Sequence, residues 1–116
     1  MKSTVKSSAD VSRIFSHGKR FSTPFATLIV LKDEKQHDHG FHGRVAFVAG
    51  KKLGNAVWRN SAKRRLRAIV HDLGGPWEGY DVVISARSPI LRASYSKVSD
   101  ACEKALVKAG LRDSAS

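Results

Sequence analysis

The sequence predicts an α+β domain in which helices pack on one mixed sheet. Three observations lead there. Three apolar, β-rich runs begin near Phe25, Arg44 and Tyr80. Two longer stretches carry apolar residues at helical spacing, and Gly- and Pro-rich punctuation separates these segments. The predicted order is α-β-β-(β)-α-β-α, with a turn or short strand in the bracketed position, forming a single two-layer domain.

Each element follows from its residues. Ser7-x-x-Asp10 makes a capping pair for a short first helix carried by Val11, Ile14 and Phe15, and Gly18 suits its end. Phe25-Ala26-Thr27-Leu28-Ile29-Val30-Leu31 is apolar on both faces and reads as an inner strand. Lys32 to Gly43 is polar and glycine-bearing, hence a loop. Arg44 to Gly50 reads as a second strand and is expected to be the hairpin partner of the first. Gly54-Asn55 marks a turn. A helix follows from about Trp58 to Leu73, with Ala62, Leu66, Ile69, Val70 and Leu73 on one face, and Gly74-Gly75-Pro76 ends it. Tyr80 to Ala86 is a third strand. A last helix from about Ser94 to Ala109 buries Val98, Ala101, Cys102, Ala105 and Ala109 and stops at Gly110.

The 116 residues suit one domain, expected to span the chain with short flexible ends at 1–7 and 112–116. Lys and Arg number 21 against 10 Asp and Glu, a net charge of +11. Such an excess repels itself unless it meets a polyanion: nucleic acid, an anionic membrane surface or an acidic protein. The single cysteine, Cys102, excludes an intramolecular disulfide framework and a zinc site built from cysteines. No apolar run approaches membrane-span length, and the first residues lack the apolar run of a secretory signal, so a cytoplasmic location is expected.

The charge is concentrated. No Asp or Glu lies between His39 and His71, an interval that holds Arg44, Lys51, Lys52, Arg59, Lys63, Arg64, Arg65 and Arg67. On a helical wheel Asn60, Lys63, Arg64, Arg67 and His71 cluster away from the apolar face, with Arg59 and Arg65 flanking it. Like charges at i, i+4, such as Lys63 and Arg67, cost a few tenths of a kcal/mol in an isolated helix. A solvated charged face is the bland alternative, and a membrane-surface helix is disfavoured because its small apolar face is needed for the core. Single-signed, arginine-rich charge favours RNA or DNA. Gly54 and Asn55, just ahead of the helix, let backbone approach phosphates.

Lys51-Lys52-Leu53-Gly54-Asn55-Ala56-Val57-Trp58-Arg59-Asn60-Ser61-Ala62-Lys63-Arg64-Arg65-Leu66-Arg67 resembles the signature of the protein subunit of bacterial ribonuclease P. Ile14-Phe15-x-x-Gly18, the strand at Phe25, and Asp81-Val82-Val83-Ile84 leading to Ala86-Arg87 extend the resemblance over about Val5 to Leu111. Ser61 stands where the family has an arginine, Arg65 where an apolar residue is common, and Val11 where an aromatic is common. The resemblance implies a ribosomal-protein-like fold with a left-handed βαβ crossover, contrary to the general rule. It also implies a ribonucleoprotein that removes the 5′ leader from precursor tRNA. The partners are then ribonuclease P RNA and precursor tRNA, with no membrane and no required protein oligomer. No catalytic or metal-binding residue is expected in the protein, and no cofactor beyond Mg²⁺ in the RNA. The implied RNA-binding residues are Lys51, Lys52, Gly54, Asn55, Arg59, Asn60, Lys63, Arg64, Arg65 and Arg67. The implied leader cleft is lined by Val11, Phe15, Ala26, Leu28, Val48 and Gly50.

Other conspicuous residues have plain readings. His37-x-His39-x-x-His42 has a metal-like look but lies in a polar loop, where histidines are usually solvated. Cys102 falls in an apolar stripe, as an inert buried thiol does. Phe15 is core by default and otherwise a stacking platform for a base. Trp58 and Trp77 read as packing residues. Asp81 has no acid/base partner in view, which argues against a nuclease acting alone. A structural rRNA-binding protein with no reaction remains the alternative, because charge alone does not separate the two.

Overall fold

The computed structural model describes residues 8–32 and 43–112. Their elements are α1 (Ser8–His17), β1 (Lys19–Ser22), β2 (Ala26–Lys32), β3 (Arg44–Val48), α2 (Ala56–Asp72), β4 (Tyr80–Ala86) and α3 (Tyr95–Lys108). Short 3₁₀ turns occupy Lys51–Leu53 and Ser88–Leu91. Ser7, the segment with His37, His39 and His42, and the chain ends expected to be flexible, apart from Arg112, lie outside the described residues.

The strand order is β1-β2-β4-β3. β1 and β4 flank β2, both antiparallel to it, while β3 runs parallel to β4. α2 is the crossover between that parallel pair. The strand starting at Arg44 is therefore not the hairpin partner of β2. That partner is β1, whose Lys19-Arg20-Phe21-Ser22 has a single apolar residue and so no strand pattern of its own. Its strand character comes from pairing through a tight turn. The Thr23 hydroxyl donates to the Ala26 carbonyl (2.8 Å) and accepts from the amides of Phe25 (3.1 Å) and Ala26 (2.9 Å). The optional short strand ahead of α2 is the 3₁₀ turn Lys51–Leu53.

Both faces of β2 are apolar, so both must be covered. Leu28, Val30, Val45, Val82 and Ile84 point into the larger core beneath α2 and α3. Ile29, Ala46 and Val83 point the other way and bury Ile14 of α1, with Val11, Phe15, Leu31 and Val48 at the margin. The α+β class with helices on one mixed sheet holds, but the helices divide between the faces, giving three layers rather than two. Gly18, between α1 and β1, has no room for a side chain: a Cβ there would lie 2.6 Å from the Ile14 carbonyl oxygen and 2.7 Å from an Ile29 methyl.

α2 buries Ala62, Leu66, Ile69 and Val70, as its period requires. α3 buries Val98, Cys102, Ala105 and also Leu106, with Ala101 and Ala109 partly covered. Trp77 is core and Trp58 packs against it. Among the described residues no helix is long and apolar enough to cross a membrane.

Candidate nucleic-acid interface

The start of α2 is free of acids and preceded by two lysines. Asn55 caps it, its side-chain oxygen accepting from the Trp58 amide at 2.9 Å. No acidic residue occupies the first turn, although the helix dipole favours one there. Gly54 is required by packing, since a Cβ would fall 2.9 Å from Trp58. Lys51 and Lys52 stand exposed just before the helix.

Along α2, Asn60, Arg64, Arg67 and His71 are exposed opposite the buried stripe, and Arg59 and Lys63 are half-buried. The Arg67 guanidinium sits over the Phe47 ring, 5.5 Å from its centre, which holds the cation in place without neutralising it. The Arg59 Nε is enclosed and has no hydrogen-bond partner among the described residues. Arg65 departs from expectation. It donates to the carbonyls of Ile90 (3.0 Å) and Ala93 (2.6 Å), tying α2 to the segment that leads into α3. Its place on the flank facing that segment makes it a structural tie rather than one of the outward cations.

The opposite face of the sheet carries a cleft beside α1. Three cross-strand rows point to that side, each read from β2 through β4 to β3: Leu31–Asp81–Arg44, Ile29–Val83–Ala46 and Thr27–Ser85–Val48. The middle row is buried under Ile14. The last is only half-buried and is extended by exposed Ser22 on β1, which pairs with Thr27. This open row presents three hydroxyls and a valine, with Phe15 half-buried nearby and Gly50 exposed beyond β3. The Arg20 guanidinium lies 5.6 Å from the Phe15 ring centre.

Of the residues expected in the cleft, Val11, Phe15 and Val48 are on this face. Ala26 and Leu28 are not. Both are fully buried in the core beneath α2 and α3, because strand alternation sends them to the other side. Thr27 and Ser85 take their place. The same alternation, anchored on one residue of known face, would have found them.

The first row anchors α1. Asp81, only 1% exposed, accepts from Arg44 through Nε at 3.0 Å and a terminal nitrogen at 2.8 Å. It also accepts from Arg13 of α1 at 3.2 Å. A carboxylate held by two guanidiniums is a structural group, not a general base. Burial pushes the Cys102 thiol up to about 11. Among the described residues no cluster of three or more metal-capable side chains occurs.

A three-layer α+β domain with a strongly cationic helix on one face and a half-open cleft on the other defines a small protein with two separate candidate binding surfaces. The ribonuclease P family model matches residues 1–110, and the chain belongs to the ribonuclease P family. Membership makes it the protein subunit of an endoribonuclease of tRNA 5′ maturation. It is 35% identical over 111 residues to the ribonuclease P protein component of Syntrophomonas wolfei, covering 95% of this chain and 89% of that one. The component from Streptococcus mutans is 38% identical over 92 residues, 79% of this chain and 73% of that one. The Staphylococcus aureus RNase P protein structure superposes with a TM-score of 0.80 at 24% identity, covering 97% of this chain and all of that one. That from Thermotoga maritima gives 0.75 at 23% identity, covering 90% and 96%. At these identities the superpositions speak for the fold.

Proposed function

We propose that this subunit grips ribonuclease P RNA through α2 and the 5′ leader of precursor tRNA through the cleft beside α1. The observation that carries the reading is the placement of these two surfaces on opposite faces of one sheet. One small domain can then touch two RNA segments at once. On α2 the phosphate contacts fall to Lys51, Lys52, Arg59, Lys63, Arg64 and Arg67, with Asn60 and the Gly54–Asn55 backbone beside them. In the cleft, Phe15 offers a ring for stacking, and the Thr27 and Ser85 hydroxyls donate to or accept from base edges.

The protein's own chemistry in this reading is binding and orientation. Asp81, its one buried carboxylate among the described residues, is already engaged by Arg13 and Arg44. Mg²⁺ held by the RNA would supply the activated water for phosphodiester cleavage. The holoenzyme would act in the cytoplasm.

The test is reconstitution with ribonuclease P RNA at low Mg²⁺, using Phe15→Ala beside the unmutated protein. A base stacked on an aromatic contributes about 1–3 kcal/mol, so affinity for leader-bearing precursor should fall about 5- to 150-fold. Affinity for mature tRNA should hold, with folding checked by circular dichroism. Equal loss on both ligands, or loss on neither, refutes the cleft assignment. Leader cleavage by RNA-free protein refutes the division of labour.

A further inference from the structure

A second cationic surface lies away from α2. A groove of about 690 Å³ runs between β1, the outer strand of the sheet, and α3. Lys97, Lys104 and Lys108 line it from α3, and Phe21 lies on the β1 side. The three lysines fall on one helical stripe, at spacings of seven and four, and all are exposed. Among the described residues Asp100 is the only acid lining the groove, so the lysines outnumber it three to one.

The position of Arg20 gives this groove its meaning. Arg20 lines it as well, while its guanidinium sits over the Phe15 ring on the α1 side. It therefore stands at the sheet edge where groove and cleft meet. β1 is only four residues long and, among the described residues, has no strand beyond it, so this edge is a short passage from one face to the other.

We propose that the groove between β1 and α3 binds the phosphodiester backbone of the distal 5′ leader, after the strand leaves the cleft past Phe15 and Arg20. This rests on the cleft holding the proximal leader. Lysines suit the role because a single strand of variable sequence offers repeated phosphates, and a compact ammonium on a flexible stem meets them without base preference. Half-buried Phe21 adds a sequence-tolerant apolar contact. The groove then acts on leader length and not on leader sequence.

The test uses the reconstituted holoenzyme and precursor tRNAs with leaders of about 4 and about 16 nucleotides, the span of known single-strand site sizes. The variant is Lys97→Ala/Lys104→Ala/Lys108→Ala, whose exposed side chains leave the core intact. Its affinity for the long-leader substrate should fall about tenfold, as the loss of three exposed ion pairs implies. The slope of log affinity against log salt should fall by about two, from three contacts at about 0.7 each. Short-leader affinity and affinity for ribonuclease P RNA should be unchanged. Equal loss on both leaders, no loss on either, or weakened binding of ribonuclease P RNA overturns the proposal. Phe15→Ala in parallel separates the two readings. If it leaves both substrates unaffected, the cleft assignment fails. If it weakens both while the lysine variant weakens neither, only the groove fails.

Discussion

Removing the Asp81 carboxylate should destabilise the fold more than removing Arg13, the more exposed of its two partners. Asp81 receives three N–H bonds from two guanidiniums and is 1% exposed. Breaking a buried ion pair by deleting one partner costs about 3–5 kcal/mol, mostly the penalty of the stranded charge. Here the arginine side chains remain 39% (Arg13) and 24% (Arg44) exposed, so water recovers part of that penalty. For Asp81→Ala a loss of about 2–4 kcal/mol follows. With an unfolding entropy of about 2.1 cal/mol/K per residue, that lowers Tm by roughly 8–16 °C. Arg13→Ala removes one bond from a more exposed donor and should cost about 1 kcal/mol or less. Urea denaturation monitored by circular dichroism measures both. Hydrogen exchange adds a local reading, because losing Arg13 unpins α1 and its amides should exchange faster than those of α2. An Asp81→Ala loss below about 0.5 kcal/mol would refute the reasoning, showing that the triad contributes little net stability.

The adjacent arginines of α2 should separate cleanly. Arg64→Ala should lower the salt slope of RNA binding by about one unit with little change in Tm, whereas Arg65→Ala should lose about 1–3 kcal/mol of stability and keep most of the slope; denaturation and RNA titrations at several salt concentrations distinguish them. Cys102, with its thiol held up at about 11 by burial, should resist a thiol-specific reagent at pH 8 while folded and react at once in denaturant. The raised thiol contributes stability that is present below the unfolded pKa and lost as pH rises toward 11, so stability should fall between about pH 8.5 and 11. Tyr95 is also raised, first by its hydrogen bond to Asp72 and then by burial. Its contribution is likewise complete below pH about 10 and lost above it, so Tyr95→Phe should flatten the most alkaline part of that decline in a pH-dependent denaturation series.

Local pattern carried a long way in this chain. The Tyr80–Ala86 strand, the α2 stripe of Ala62, Leu66, Ile69 and Val70, and the acid-free basic interval are all properties of residues near one another in the chain. Periodicity and charge therefore revealed them, and the basic motif pointed to the family. Partners across the fold were another matter. Apolar residues on both faces of β2 announced burial on both sides but not which strand would lie beside it; β1 and β4 took those places and β3 went to the far edge. Alternation placed Ala26 and Leu28 together, yet only the seating of α1 on Ile29 and Val83 decided that they face away from the cleft and that Thr27 and Ser85 face into it. Arg64 and Arg65 are the same residue type one position apart. The packing of α3 and its approach segment turned one into a tie and left the other outward. Asp81 was unremarkable until the chain brought Arg13 and Arg44 to it from 68 and 37 residues away. Sequence determines which chemistry and which face-sharing are available; the choice of partner among equivalent residues is made by contacts distant in the chain, and so exists only once the layers have packed.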